Sequence, residues 1–374
     1  MKFINNLRKI NKEIIVRCIV IALIIFLICI GVGIVIVNRN NGIIKKEQPV
    51  VINTGEADKE LSVGTQVIEK NRTLSGKKAT YKNPIIPVGF KAVEDGASWK
   101  ILGDEIEGWN DGLVIEDEKG NQFVWVPVDN ENVTYNKWCY DNNGFGIKYT
   151  ETSGDELPEG VDENNQINIY GGFWIGRFEA GRNDIDMATG DTNDVSKDVE
   201  LVIKKGTQPW NLITYNNAKI VAEEYIDNEN VKSGLVTGTQ WDTTMKWIEN
   251  AGYDVITDSV EWGNYYNNED VSVIGRYSNS PSNSQLWQTG EFRKEKSGVV
   301  FTGTGLYEGA KVKNIYDLAG NLWEWTTEKC FSHLAYRGGF AGDYSNSFPA
   351  GFRGSNNKDV AFCGIGFRVL LYLM

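Results

Sequence analysis

Twenty consecutive uncharged residues near the amino terminus, CIVIALIIFLICIGVGIVIV at 18–37, decide how the rest of this chain must be disposed. Wound as a helix rising 1.5 Å per residue, such a run is about 30 Å long, the thickness of a bilayer's hydrocarbon core. A cleaved secretion signal has a shorter apolar region, about 7–15 residues, and ends in small residues. Here the run ends VIVNRN, and bulky Ile28 before Cys29 argues against lipid modification of that cysteine. The expectation is a retained signal anchor, with a cytoplasmic tail over 1–13 and one transmembrane helix over 14–37. Lys2, Arg8, Lys9, Lys12 and Arg17 precede the span, and Arg39, Lys45 and Lys46 follow it. The excess on the amino-terminal side places that end inside. A single-pass protein of the cell membrane, with its carboxy-terminal domain outside, is the arrangement this predicts.

Charge divides the chain at the same place. Residues 1–46 carry a net +7, whereas the remainder holds 30 basic and 49 acidic residues, a net −19. An acidic surface repels phosphate backbones and excludes nucleic acid as a natural partner. It suits hard cations bound through oxygen, though solubility alone explains it equally well. Cys18 and Cys29 fall in the span, which leaves Cys139, Cys330 and Cys363, so at most one disulfide forms among them. Cys330 with Cys363 is the favoured pair, because both flank the same carboxy-terminal region.

Residues 38–80 are polar and lack a sustained period of 2 or 3.6, which reads as a flexible stalk. Globular character begins at 81 and continues to 374. Strand-like stretches alternate with Gly, Asn and Asp turns, as in GLVIEDEKGNQFVWVPV (112–128) and GGFWIGRFEAG (171–181). Two helices are expected. In TYNNAKIVAEEYI (214–226), Ala218, Val221, Ala222 and Tyr225 share a face. In GTQWDTTMKWIENAG (238–252), Trp241, Met245 and Ile248 form an inward stripe, Thr239 and Asp242 stand at capping-box spacing, and Gly252 ends the helix. The tract 253–311 shows little periodicity, and so long a structureless segment needs packed tryptophans or a metal to organise it. The 12 tryptophans belong either to an aromatic core or to stacking surfaces for a ligand.

The segments GGFWIGRFEAG, TQPWNLITYNNAKIVAEEY, GLVTGTQWDTTMKWI, EWGNYYN, NIYDLAGNLWEW, YRGGF and GIGFRV follow one another in that order across 112–372. In this the chain resembles the formylglycine-generating enzyme, or sulfatase-modifying factor, family. The resemblance implies an α+β fold like a C-type lectin module, loop-rich with limited regular structure. It also implies calcium on the loop DLAGNLWEW, held by the Asp317 and Glu324 carboxylates and the Gly320 and Leu322 carbonyls. Calcium takes six to eight oxygens, including carbonyls from a tight turn, so the donor set suits it. The competing reading is a packed turn with no metal.

The family's oxidases bind copper through a cysteine pair just after the RGG motif. The equivalent positions here fall near Asp343 and Phe348, and no cysteine lies between Cys330 and Cys363. A carboxylate and a phenyl ring cannot hold Cu(I), so copper is not expected. The family's iron-dependent branch needs at least two histidines, and this chain has only His333, so iron is not expected either. What remains is a module without catalytic function, binding an extracellular glycan or peptide through the surface after RGG. Asp343, Tyr344, Phe348 and Arg353, with Trp262 lining the same groove, are the candidate contacts. The bland alternative is a surface loop with Phe348 and Phe352 turned into the core, and Trp262 there too. Two further readings stay open: a formylglycine-generating oxidase acting on a sulfatase-like client through Cys330 or Cys363, and a structural or signalling ectodomain.

Overall fold

The computed structural model describes residues 67, 69–138, 146–183, 199–279 and 287–374. The expected tail and transmembrane helix lie outside them, as does Cys139. Among the described residues no helix is long and apolar enough to cross a membrane.

Eleven strands carry the architecture: β1 Phe90–Val93, β2 Val114–Asp117, β3 Gln122–Pro127, β4 Thr152–Asp155, β5 Gly172–Gly176, β6 Val231–Leu235, β7 Trp323–Cys330, β8 His333–Arg337, β9 Arg353–Asn356, β10 Ile365–Phe367 and β11 Val369–Leu373. One antiparallel sheet runs β6-β11-β5-β3-β2-β1. A second runs β9-β8-β7-β10, with β4 also pairing β7, and the β7–β10 pair is parallel. In β5 (GFWIG) and β11 (VLLYL) every residue is buried. An unbroken apolar run of this kind marks a strand covered on both faces, which is why these two occupy the middle of the first sheet.

Three helices complete the frame, α1 Glu163–Tyr170, α2 Tyr215–Glu224 and α3 Gly238–Glu249. The α2 helix buries Tyr215, Ala218 and Ala222 on the expected face and packs on β6. The α3 helix buries Trp241, Met245 and Ile248 completely and packs on β3, β4 and β7. Its cap differs from expectation. Thr237, not Thr239, is the N-cap and forms a capping box with Gln240, since Thr237 Oγ1 accepts from Gln240 N and Gln240 Oε1 from Thr237 N. Gly252 ends the turn with φ 94°. The architecture is therefore mostly strand and loop with few helices, as a loop-rich α+β fold requires.

Two boundaries move. Residues 71–80, expected in the stalk, belong to the fold: Arg72–Thr73 pairs with Ile85–Ile86, and Asn71 Nδ2 donates to Asn230 O at 2.9 Å. The tract 253–311 contains a hairpin of Ser272–Ser278 with Gln288–Arg293, so backbone pairing organises part of it after all. Nine of the 12 tryptophans are buried, which makes the aromatic content chiefly core.

Candidate functional site

The loop that precedes β7 is held in an uncommon conformation. Asn314, Asp317, Gly320 and Asn321 have φ of 63°, 59°, 75° and 58°. Left-handed backbone at residues other than Gly persists only where surrounding contacts impose it. Those contacts are present. Asn321 Nδ2 donates to Glu179 Oε2 at 2.6 Å, and its Oδ1 accepts from Thr302 N at 3.0 Å and Asn264 Nδ2 at 3.1 Å. Gly320 is irreplaceable on steric grounds, because a Cβ there would sit 2.2 Å from Asn264 O.

Around this loop stand three fully buried carboxyls, Glu179, Asp317 and Glu324. The Arg368 guanidinium, from GIGFRV, grips Glu324 through Nε and Nη2 and also donates to Gly176 O and Tyr316 O, both at 2.9 Å. Glu179 Oε1 takes the Leu322 N–H at 3.1 Å. Asp317 Oδ2 takes the Gly305 N–H at 2.7 Å, whereas Asp317 Oδ1 is buried with no hydrogen-bond partner. Burial pushes the Asp317 carboxyl up to about 7, although the Gly305 N–H and Arg368 pull the other way. Glu179 is raised well above the carboxylate range by burial and then by the charges of Asp317 and Glu324. Burial raises Glu324 as well, against Arg368.

The residues expected to hold calcium lie along one stretch of chain, and the sequence reading missed the buried Glu179 that braces it. Glu179 had a signal, a lone carboxylate inside the apolar run GGFWIGRFEAG. The residues fit a hard cation at Asp317, whose unsatisfied oxygen is what such an ion would coordinate. Glu324 fits less freely, since Arg368 already engages both of its oxygens. Gly320 and Leu322 lie on the same turn, their N–H groups donating to Gly338 O and Glu179 Oε1.

A second buried charge cluster lies between α3 and the second sheet. Asp242, Glu328, Arg337 and Arg353 are all fully buried. Asp242 receives Arg337 on Oδ1 and Arg353 on Oδ2, the latter at 2.7 Å, and Arg353 Nε donates to Glu328 Oε2 at 2.8 Å. Arg353 is therefore no ligand contact: the expectation of a surface guanidinium is corrected, because two carboxylates on α3 and β7 draw it inward. Trp262 is corrected likewise. It is 3% exposed, and its indole N–H donates to Asp254 O at 2.9 Å, beside Tyr253.

Of the remaining candidates, Phe348 is partly buried, edge-on to Trp323 at 5.7 Å and against Phe352 at 5.0 Å. Asp343 is half-buried, its Oδ2 accepting from Phe340 N at 3.2 Å, and burial raises its carboxyl to about 8. Tyr344 is 53% exposed and packs its ring 5.1 Å from Tyr266, which the sequence reading did not single out. Next to it, Ser345 is fully buried, its Oγ donating to Asp258 and its N–H to Asn267 Oδ1. That anchor fixes the loop and leaves Tyr344 displayed on a firm base, with partly buried Tyr266 behind it.

The expected Cys330–Cys363 bond is absent. Trp323 pairs with Ile365 on parallel strands, so Cys330 lies seven residues beyond that register and Cys363 two before it. At about 3.3 Å per residue they are of order 30 Å apart, and a disulfide needs Cα atoms within about 7 Å. Burial raises the Cys330 thiol to about 11. His333 is exposed on β8. Among the described residues no three His, Cys, Asp or Glu side chains gather as a metal-binding group.

No family model matches this chain, and no curated protein does. Among solved structures it is similar to Treponema denticola variable protein 1, with 13% identity and a TM-score of 0.33, covering 67% of this chain and 95% of that one. It is also similar to PvdO from Pseudomonas aeruginosa (14% identity, TM-score 0.34, 70% and 98% covered) and to CarF (10%, 0.32, 60% and 96%). Likeness at this level is remote, and the functional reading rests on the chain's own residues.

Proposed function

We propose that this chain is a membrane-anchored, extracytoplasmic module of formylglycine-generating-enzyme-like fold that binds a sugar or peptide without catalysing thiol oxidation. The observation that carries the reading is Tyr344, exposed on a loop that buried Ser345 anchors and packed against the partly buried Tyr266 ring. Rigid aromatic rings offer large contact area at little entropic cost, and tyrosine is enriched where binding energy concentrates. Asp343, whose Oδ2 accepts from the Phe340 N–H, stands next to Tyr344 as the polar neighbour of the aromatic surface. Calcium belongs to the same proposal as a structural ion, with Asp317 as its principal ligand and Glu324, Gly320 and Leu322 as the remaining donors. Bound there, it would neutralise buried negative charge and lock the turn before β7.

The full-length chain, applied to glycan and peptide arrays, is expected to retain a defined set of ligands. Tyr344→Ala and Tyr266→Ala should each weaken any hit about tenfold or more, the loss of one aromatic anchor. Hits that survive both substitutions at full strength would remove this surface from consideration. Saturable copper uptake by the same chain would favour a thiol oxidase instead.

A further inference from the structure

A cavity of about 390 Å³ opens elsewhere on the fold, and its lining includes neither the Tyr344 loop nor any of the buried carboxyls around Asp317. Its volume is that of small-ligand sites. Trp109 is its partly exposed indole wall, and the buried Trp247 and Val133 back the lining. The lining is fastened in place. Trp247 Nε1 donates to Asn110 Oδ1 at 2.7 Å, Lys313 Nζ donates to Asn110 O at 2.6 Å, and the same ammonium stands 5.3 Å from the Trp247 ring. Trp109 is braced edge-on against Tyr81 at 5.3 Å.

The rim is amide-rich. Asn110, Asn132 and Asn250 surround the opening, and Asn250 Nδ2 ties to Asn132 O at 2.8 Å. Asp129 is oriented by the backbone N–H groups of residues 131, 132 and 133, all within 2.9 Å of its Oδ1. One carboxylate and one ammonium at the same mouth cancel, so the cavity favours neither anion nor cation. Amides both donate and accept, as hydroxyl groups do. One apolar planar wall beside a rim of this composition matches a molecule with a C–H face and a ring of hydroxyls.

We propose that this cavity is a second, independent binding site, which takes one neutral pyranose ring against Trp109 with its hydroxyls on the asparagine rim and Asp129. Phosphate or carboxylate ligands are disfavoured by the acidic charge of the whole domain.

The test uses the full-length chain and four probes, the methyl glycosides of glucose, galactose, mannose and N-acetylglucosamine, with inorganic phosphate as a fifth, followed by isothermal titration calorimetry. At least one glycoside is expected to bind saturably, and phosphate is not. Trp109→Ala should weaken that binding at least tenfold. Ala251→Trp, an exposed position on the cavity's lip, should do the same by filling the mouth while leaving the melting temperature unchanged. Tyr344→Ala should leave it intact. Absence of saturable binding for all four glycosides, binding of phosphate in their place, or full binding by Ala251→Trp overturns the proposal. Loss of binding in Tyr344→Ala but not in Ala251→Trp would transfer the sugar to the tyrosine surface and sink this site alone.

Discussion

Replacing Asp242 by Ala is expected to lower the stability of the fold by about 3–5 kcal/mol, the cost of breaking a buried ion-pair network on one side. Asp242 faces two guanidiniums, Arg337 and Arg353, and all three side chains are fully buried. Without it, two positive charges share Glu328 alone. The Trp138 N–H, 3.1 Å from Asp242 Oδ2, also loses its acceptor. An exposed pair is the natural control: removing Lys119 from Glu200 should cost less than about 1 kcal/mol, since solvent screens it. Urea unfolding reads both, with the midpoint moving and the slope unchanged. A loss below about 1 kcal/mol in Asp242→Ala would show that water or relaxation replaces the network. The same cluster sets acid tolerance. Burial acts to raise Glu328, but Arg353, Arg337 and Lys137 outweigh it and hold the carboxyl at about 2. A depressed acid contributes stability above its unfolded value near 4.5, and that contribution drains away as pH falls toward 2. In Glu328→Gln, stability should no longer decline across that window on this residue's account.

What the sequence shows and what it hides can be traced to how local each signal is. The faces of α2 and α3 follow from spacing alone, and Trp241, Met245 and Ile248 are buried as their periodicity requires. The cap of α3 was misread because Thr237–Gln240 and Thr239–Asp242 both have a three-residue spacing. Only tertiary structure decides between them, by taking Asp242 for the two arginines and Thr239 for Asp155, whose Oδ2 accepts from Thr239 Oγ1 at 2.8 Å. Arg353 and Trp262 failed as surface candidates for a related reason. Exposure is a property of what folds over a residue, and their neighbours in sequence do not reveal Asp242, Glu328 or Asp254. The cysteine pairing failed on topology, since nearness to one region of chain is lost when β7 and β10 run parallel. The indole-walled cavity had no sequence signal at all, because it is assembled from four segments near residues 109, 130, 250 and 313. The acidic centre was half visible: its loop was apparent, while Glu179 arrives from a strand end about 140 residues earlier, hydrogen-bonding Asn321 across that separation.

The acidic centre makes stability depend on pH in the sense opposite to Glu328, and calcium should reverse it. Asp317 has a carboxyl raised to about 7, chiefly by burial. An acid whose folded value is raised loses nothing below its unfolded value near 3.8. As pH climbs from there to about 7, the unfolded chain ionises first and stability falls. Over that interval the loss from Asp317 alone is roughly 4 kcal/mol at most, and Glu179 and Glu324 act in the same direction. In chelator, the melting temperature of the full-length chain should therefore decline between pH 4 and pH 7. A cation on Asp317 Oδ1 removes the penalty by stabilising the ionised form. At a concentration 100 times its dissociation constant, calcium adds about 2.7 kcal/mol at pH 7.5, and the increment shrinks below pH 7 as protons compete. Asp317→Asn keeps an oxygen for the Gly305 N–H but cannot ionise. It should melt with a flatter pH dependence and no calcium increment. A calcium response that persists in Asp317→Asn would place the ion elsewhere. A wild-type melting temperature indifferent to calcium at pH 7.5 would mean that Arg368, bound to Glu324 and two backbone carbonyls, is the cation around which this loop is built.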